Sequence, residues 1–217
     1  MNPHILLAKQ AVETYIKEEK IIEPPKDLPK EFFERRTGTF VTIEKSDKRL
    51  SKNDLRFARS DKQLRGCIGT YLPTRINIAE EIIHNAVAAA TEDYRFGPIR
   101  EEELSQLFYT VYILSEPELV KDVKDIKDPI KFSEEKFRRA GLDPKKFGII
   151  VKTAPFTYPN EDVVFNGHMP YKSGLLLPGL EEVDTIEEQI LIACRKAGID
   201  PIKEKILIYK FTVEKFQ

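Results

Sequence analysis

The 217-residue sequence predicts an α+β fold: a single two-lobed domain with a mixed, strongly curved sheet flanked by helices. Three observations carry that prediction. Neighbouring strand segments are joined by hairpin-like turns and by helices. The order helix, strand, strand, helix, strand occurs in the first lobe, about 1–118, and again in the second, about 119–217. The turns also answer one another, Gly69-Thr70-Tyr71-Leu72-Pro73 matching Gly174-Leu175-Leu176-Leu177-Pro178, each followed by a capped, isoleucine-bearing helix. An internal duplication of one helix–strand–strand–helix–strand unit is therefore expected.

From His4 to about Glu19, the apolar residues Ile5, Ala8, Val12, Tyr15 and Ile16 recur at helical spacing. Pro24, Pro25 and Pro29 then forbid helix and favour an extended wrap towards Phe32 and Phe33. Thr39 to Ile43 is β-branched and reads as a strand after Gly38. Its natural partner is Leu64-Arg65-Gly66-Cys67-Ile68-Gly69-Thr70, reached through a polar, basic connection from Lys45 to Lys62. Asn77 with Glu80 caps a helix whose buried face carries Ile78, Ile82, Ile83, Ala86, Val87 and Ala90. Tyr94 to Pro98 ends that helix, Glu101 to Leu104 makes a short helical turn, and Phe108 to Leu114 is a strand.

The second half begins with a charged connector, Lys121 to Lys131, and a short helix from Ser133 to Ala140. Strands are expected at Phe147 to Lys152, Ser173 to Pro178 and Ile206 to Val213, with a small extra one at Val163 to Phe165. Thr185 with Glu188 caps the last helix, which closes at Gly198.

Composition narrows the classes of function. Hydrophobic residues make up 41% and charged residues 33%, as in a soluble globular protein, and a net charge of −1 excludes a uniformly basic nucleic-acid coat. Cys67 and Cys194 form neither a disulfide framework nor a zinc-type pair, and read as reduced thiols in the cytoplasm. No apolar run reaches membrane-spanning length and the N-terminus does not read as a signal peptide, so no membrane is expected as a partner. The absence of Trp, the 14 Pro and the many Lys, Glu and Ile lean towards a heat-stable protein. His4, His84 and His168 have no metal-ligand spacing, so no metal site is expected, and the cofactor is left unassigned because no dinucleotide or P-loop glycine pattern occurs.

Chemistry concentrates in Leu64 to Thr70. On a regular strand Arg65, Cys67 and Gly69 share one face, with Arg65 and Cys67 about 7 Å apart at their backbones. A guanidinium at that distance favours a thiolate, the form of cysteine that attacks. The flanking glycines permit close approach of backbone or ligand. The plainer alternative is a small buried hydrophobe between glycines that serve strand packing.

The same heptad resembles the signature of the AMMECR-one family, named for the chromosomal region of Alport syndrome, midface hypoplasia and elliptocytosis. The resemblance extends to Gly38–Ile43, Asp93-Tyr94-Arg95-Phe96 with Pro98, Glu103-Leu104, Ser115-Glu116-Pro117-Glu118, Gly148–Val151, Leu176-Leu177-Pro178 and Cys194-Arg195-Lys196-Ala197-Gly198. The chain departs from the family pattern in a longer Lys45–Lys62 connection and in extra residues between Thr153 and Pro170. The resemblance implies a two-lobed α+β fold with the signature near a cleft between lobes, in a family without an established activity. It also implies association with Memo-like or radical-SAM partner proteins. Its candidate site residues are Arg65, Gly66, Cys67, Gly69 and Thr70, with Asp93, Arg95 and Glu103.

In these terms Cys67 and Glu103 are the catalytic candidates, and Arg65, Gly66, Gly69, Thr70, Asp93 and Arg95 the binding candidates. Arg95 suits a bidentate clamp on a carboxylate or phosphate, or else an ion pair to Asp93 or Glu103 that fixes the turn. Two functions follow. One is an enzyme or enzyme subunit acting on a small or anionic substrate in a cleft lined by Arg65, Cys67 and Arg95. The other is a non-catalytic adaptor or RNA-binding or protein-binding module. Lys45 to Arg65 holds eight Lys or Arg against three Asp, a local basic excess that suits an anionic ligand or RNA, although a solvated loop is the favoured explanation on so charged a surface.

Overall fold

The computed structural model describes residues 2–46, 62–120, 140–153 and 172–217, together with Phe137. Most of the basic Lys45–Lys62 connection, the Lys121–Lys131 connector, most of the Ser133–Ala140 helix and the 154–171 segment with Val163–Phe165 and His168 lie outside the described residues.

Helix α1 (Pro3–Glu18) starts with Pro3 at its first position, and Asn2 accepts a hydrogen bond from the His4 N–H at 2.9 Å. It buries Ile5, Leu7, Ala8, Ala11 and Val12. The four-residue α2 (Glu31–Glu34) carries Phe32 into the same core. Strand β1 (Thr39–Ser46) alternates as its sequence requires, burying Thr39, Val41 and Ile43. It pairs antiparallel with β2 (Lys62–Gly69) on one side and β3 (Leu107–Leu114) on the other. Between them in sequence come α3 (Ile78–Thr91), capped by Asn77, and a 3-10 turn over Glu101–Gln106.

Two compact units emerge where one curved sheet was expected. The first comprises Met1–Leu114 with Glu214–Gln217, the second Ser115–Val213. The first holds a sheet in the order β2-β1-β3-β8, where β8 is Val213–Phe216. The second holds the order β4-β7-β5-β6, from β4 (Glu118–Leu119), β5 (Gly148–Thr153), β6 (Ser173–Leu176) and β7 (Ile206–Phe211). Its helix α4 (Ile186–Ala197) has the expected Thr185–Glu188 capping box and ends at Gly198, where φ is 63°. The expected final strand, Ile206–Val213, is therefore two. The chain breaks at Thr212, whose N–H donates to Ser115 Oγ at 2.9 Å and whose carbonyl accepts from the Ser115 N–H at 2.9 Å. The strand after β3 thus joins the second sheet, and the strand after β7 joins the first. Among the described residues, no helix is long and apolar enough to cross a membrane.

The two units share one local arrangement, in a register different from the one the turns suggest. A Cβ built on Gly66 would lie 2.0 Å from the Ala89 carbonyl oxygen of α3, and one on Gly174 would lie 2.0 Å from the Ala193 carbonyl oxygen of α4. Gly66 pairs with Ile43 of β1, and Gly174 with Val151 of β5. In each unit a helix amide ties down the start of the first strand. Asn85 Nδ2 donates to the Thr39 carbonyl at 3.1 Å, and Gln189 Nε2 to the Phe147 carbonyl at 3.0 Å. Gly66, not Gly69, is therefore the counterpart of Gly174, because only there does a helix backbone press on the strand.

Candidate functional site

Strand β2 is the edge of the first sheet, and three features of its sequence set the site. Gly66 faces α3 and admits the helix. Cys67, next in line, faces the other side and pairs with Thr42, whose hydroxyl donates to Cys67 Sγ over 3.2 Å. Between Leu64, paired with Glu44, and Gly66, paired with Ile43, Arg65 is an extra residue in a β-bulge. The bulge breaks the strict alternation that put Arg65 and Cys67 on one face, and re-aims the arginine.

Arg65 goes to the turn after α3. Its Nε and Nη2 hold Glu103 Oε2 and Oε1 at 3.1 and 3.0 Å, while Nη1 and Nη2 donate to the carbonyls of Gly97 and Pro98 at 2.7 and 3.1 Å. Glu103 also accepts from Lys45 Nζ at 2.9 Å and from the Arg100 N–H at 3.1 Å. The Arg65 bonds foremost, with Lys45 and Arg100 adding, outweigh partial burial and hold the Glu103 carboxyl down at about 2. A carboxylate so engaged has no proton to give near neutrality, and its geometry is that of a positioning group.

Asp93 caps the open edge of β2. Its Oδ2 accepts the Cys67 N–H at 2.8 Å, an edge-strand donor pointing away from β1. Arg95 grips the same carboxylate through Nε and Nη2, at 2.9 and 2.7 Å, and through its own N–H at 3.2 Å. Asp93 is 4% exposed, and the Arg95 bonds chiefly, with the Cys67 N–H after them, hold its carboxyl at about 2. Arg95 thus forms the turn-fixing ion pair with Asp93 through one edge of its guanidinium, while its side chain is still 45% exposed.

Gly69 and Thr70 lie further along the strand. Gly69 is required because a Cβ there would strike the Phe40 ring at 2.3 Å. Thr70 donates its hydroxyl to Glu81 Oε1 at 2.6 Å. Glu81, 1% exposed, also accepts from the N–H groups of Thr74 and Arg75, both at 2.8 Å, and so fixes the whole turn into α3. Gly69 and Thr70 therefore shape the loop, and Arg65, Cys67, Asp93, Arg95 and Glu103 gather along the β2 edge.

Three participants were not legible in the sequence as site residues. Thr42 and Tyr112 join Cys67 only through strand register. Burial first, then the neighbouring Cys67 and Glu44, push the Tyr112 phenol to about 12, so it stays protonated at any physiological pH. Glu81 had one available signal, a carboxylate between Ile78 and Ile82 in an otherwise apolar stripe. Of the histidines, His4 is buried between Phe32 and Phe216 and His84 is half-buried. Among the described residues no cluster of three or more His, Cys, Asp or Glu is placed to hold a metal ion.

The duplicated unit supplies an internal control. By register, Thr42, Cys67 and Tyr112 correspond to Ile150, Leu175 and Phe211. The second unit keeps the glycine and the helix amide that the fold needs, and carries only apolar groups where the first has a hydroxyl, a thiol and a phenol.

Comparison with known proteins places the chain. A protein of Thermotoga maritima is 40% identical over 216 residues, spanning 100% of this chain and 98% of that protein. A Clostridium acetobutylicum protein is 34% identical over 216 residues, and there the chain spans only 35% of the longer relative. The crystal structure of an uncharacterised protein from Pyrococcus horikoshii matches with a TM-score of 0.70 at 31% identity, covering 98% of this chain and 88% of that one. Several of the relatives come from thermophiles, in keeping with the composition. The AMMECR1 family model matches residues 5–216, and the chain belongs to that family.

Proposed function

We propose that this protein is an enzyme or enzyme subunit that handles a small, anionic substrate at Cys67. The supporting observation is the contrast between the two units: one framework, built twice, has a polar trio of Thr42, Cys67 and Tyr112 in one copy and Ile150, Leu175 and Phe211 in the other. Packing alone is satisfied by the apolar set.

In this reading Cys67 is the reacting group. A hydroxyl that donates to sulfur binds a thiolate more strongly than a thiol, so Thr42 supports the attacking form. Arg95 supplies the anion-binding group, its Asp93-facing edge fixed and its remaining edge open to a ligand. Arg65, Glu103 and Asp93 are positioning residues that hold β2 and the turn beside it. A reducing cytoplasm keeps such a thiol available.

The test is competitive alkylation with iodoacetamide at pH 7, followed by peptide mass spectrometry. Cys194 is the internal standard, since burial, then Glu204, pushes its thiol to about 11. Cys67 is expected to react at least about tenfold faster than Cys194, and Thr42→Val to slow it about threefold. Equal reactivity of the two cysteines, together with full rescue of a deletion strain by Cys67→Ser, overturns the reading and leaves the adaptor alternative.

A further inference from the structure

The turn from Asp93 to Pro98 is held from behind with unusual thoroughness for a surface loop. Asp93 binds the Cys67 N–H and three donors of Arg95, the Phe96 N–H donates to the Asp93 carbonyl at 2.9 Å, and Arg65 holds the carbonyls of Gly97 and Pro98. The Ile99 N–H donates back to the Ala90 carbonyl of α3 at 2.9 Å. Apart from the Arg95 guanidinium held on Asp93, all of this fixes backbone. Tyr94 does no such work: it is 95% exposed, the largest exposure of any sizeable apolar-bodied residue among those described. Its neighbour Arg95 keeps the outer edge of its guanidinium clear of Asp93, and nothing lies within 4 Å of where a Cβ on Gly97 would point.

A fixed turn that carries a bare aromatic ring and, on the next residue, a guanidinium lying over Phe96 with its outer edge clear of Asp93 suits one kind of ligand. Holding the backbone and the guanidinium in place beforehand lowers the entropy lost on binding. The ring offers a stacking face, and the guanidinium offers paired donors matched to a phosphate or carboxylate. We infer that the Asp93–Phe96 turn recognises a ligand that joins a flat aromatic ring to an anionic group, as nucleotides do, with Tyr94 stacking on the ring and Arg95 holding the anion. The inference rests on the reading of Cys67 and Arg95 as one site, and names the substrate class for it.

Calorimetric titration of the full chain with AMP, ribose 5-phosphate and adenosine separates the parts. AMP is expected to bind at least about tenfold more tightly than ribose 5-phosphate or adenosine, the gain of one stacked ring over the anion alone. Tyr94→Ala is expected to abolish the difference between AMP and ribose 5-phosphate, and Tyr94→Phe to restore it, because the ring and not the hydroxyl does the stacking. Tyr94 takes no part in the core, so both variants fold. AMP bound no better than ribose 5-phosphate, or binding of AMP unchanged by Tyr94→Ala, overturns the inference. The alkylation test separates this outcome from failure of the functional reading. A fast Cys67 with no ring preference removes the ligand class alone, whereas Tyr94-dependent AMP binding beside an inert Cys67 keeps the turn and removes the catalytic thiol.

Discussion

Replacing Gly66 with alanine is expected to destabilise the protein by about 3 kcal/mol, at the upper end of the usual cost of overpacking a core. The new Cβ would sit 2.0 Å from the Ala89 carbonyl oxygen, and that obstacle is helix backbone, not the tip of a mobile side chain. Relief requires β2 to move off α3 by more than about 1 Å, which also pulls Cys67 away from Asp93 and Thr42. Urea unfolding should show a lower midpoint with an unchanged slope, and the thermal midpoint should fall by roughly 6–12 °C for a chain of this size. Gly97→Ala is the matched control: its Cβ would meet nothing within 4 Å and its φ is not in the left-handed region, so a change below about 0.5 kcal/mol is expected. Gly174→Ala should repeat the Gly66 result in the second unit, against Ala193. A Gly66→Ala midpoint no lower than that of Gly97→Ala would show that the helix does not press on this strand.

The same glycine marks the boundary of what could be read from the chain. Alternation puts Gly66 and Ile68 on the core side, and the structure agrees. Alternation also puts Arg65 beside Cys67, and there it fails, because a bulge is a property of how two strands pair and leaves no mark in one of them. Helix limits were legible from caps, Asn77 and Thr185 doing in the structure what their spacing to Glu80 and Glu188 implies. Strand β8 was not, since Val213 to Phe216 belongs with β3, and nothing local tells a chain leaving β7 at Thr212 which sheet it joins next. The likeness of the two halves was legible from element order. Its register was not, because the tell-tale contacts, Gly66 on Ala89 and Gly174 on Ala193, are between segments distant in sequence.

The candidate site divides along the same line. Cys67 was singled out from residue type and spacing, and Asp93, Arg95 and Glu103 through the family resemblance, yet their roles depend on partners that only folding supplies. Glu103 illustrates this. As an isolated glutamate near a cysteine it suits general acid or base chemistry, but with Arg65 bidentate on it and Lys45 behind, it is a fixed anion. Thr42 and Tyr112 carry the opposite lesson. Neither is conspicuous in sequence, and both gain meaning from standing where the second unit has Ile150 and Phe211.

Those fixed anions make acid the selective stress on the first unit. Asp93 and Glu103 both titrate at about 2 when folded, below the ordinary carboxyl range near 4. The unfolded chain therefore takes up these two protons first as pH falls. The stability they contribute is complete above about pH 5, declines as pH falls through 4 towards 2, and is gone below the folded values. Held that far below the ordinary carboxyl range, the pair is worth about 5 kcal/mol at neutral pH. Asp93 is 4% exposed and the Glu103 side chain 12%, so solvent screens little of it, although the open end of Arg95 trims the Asp93 share. Urea unfolding between pH 2 and pH 7 should show this as a steep loss of stability below pH 5. Asp93→Asn and Glu103→Gln keep the shapes and remove the titrations, so each variant is expected to be less stable than the parent at pH 7 and to have a flatter profile below pH 5. The curves should draw together as pH falls towards 2, where the parent carboxylates are themselves half neutralised, and meet below it. An acid slope in the double variant as steep as in the parent would mean that other carboxylates carry the loss, and that the edge of β2 is not held by these two anions.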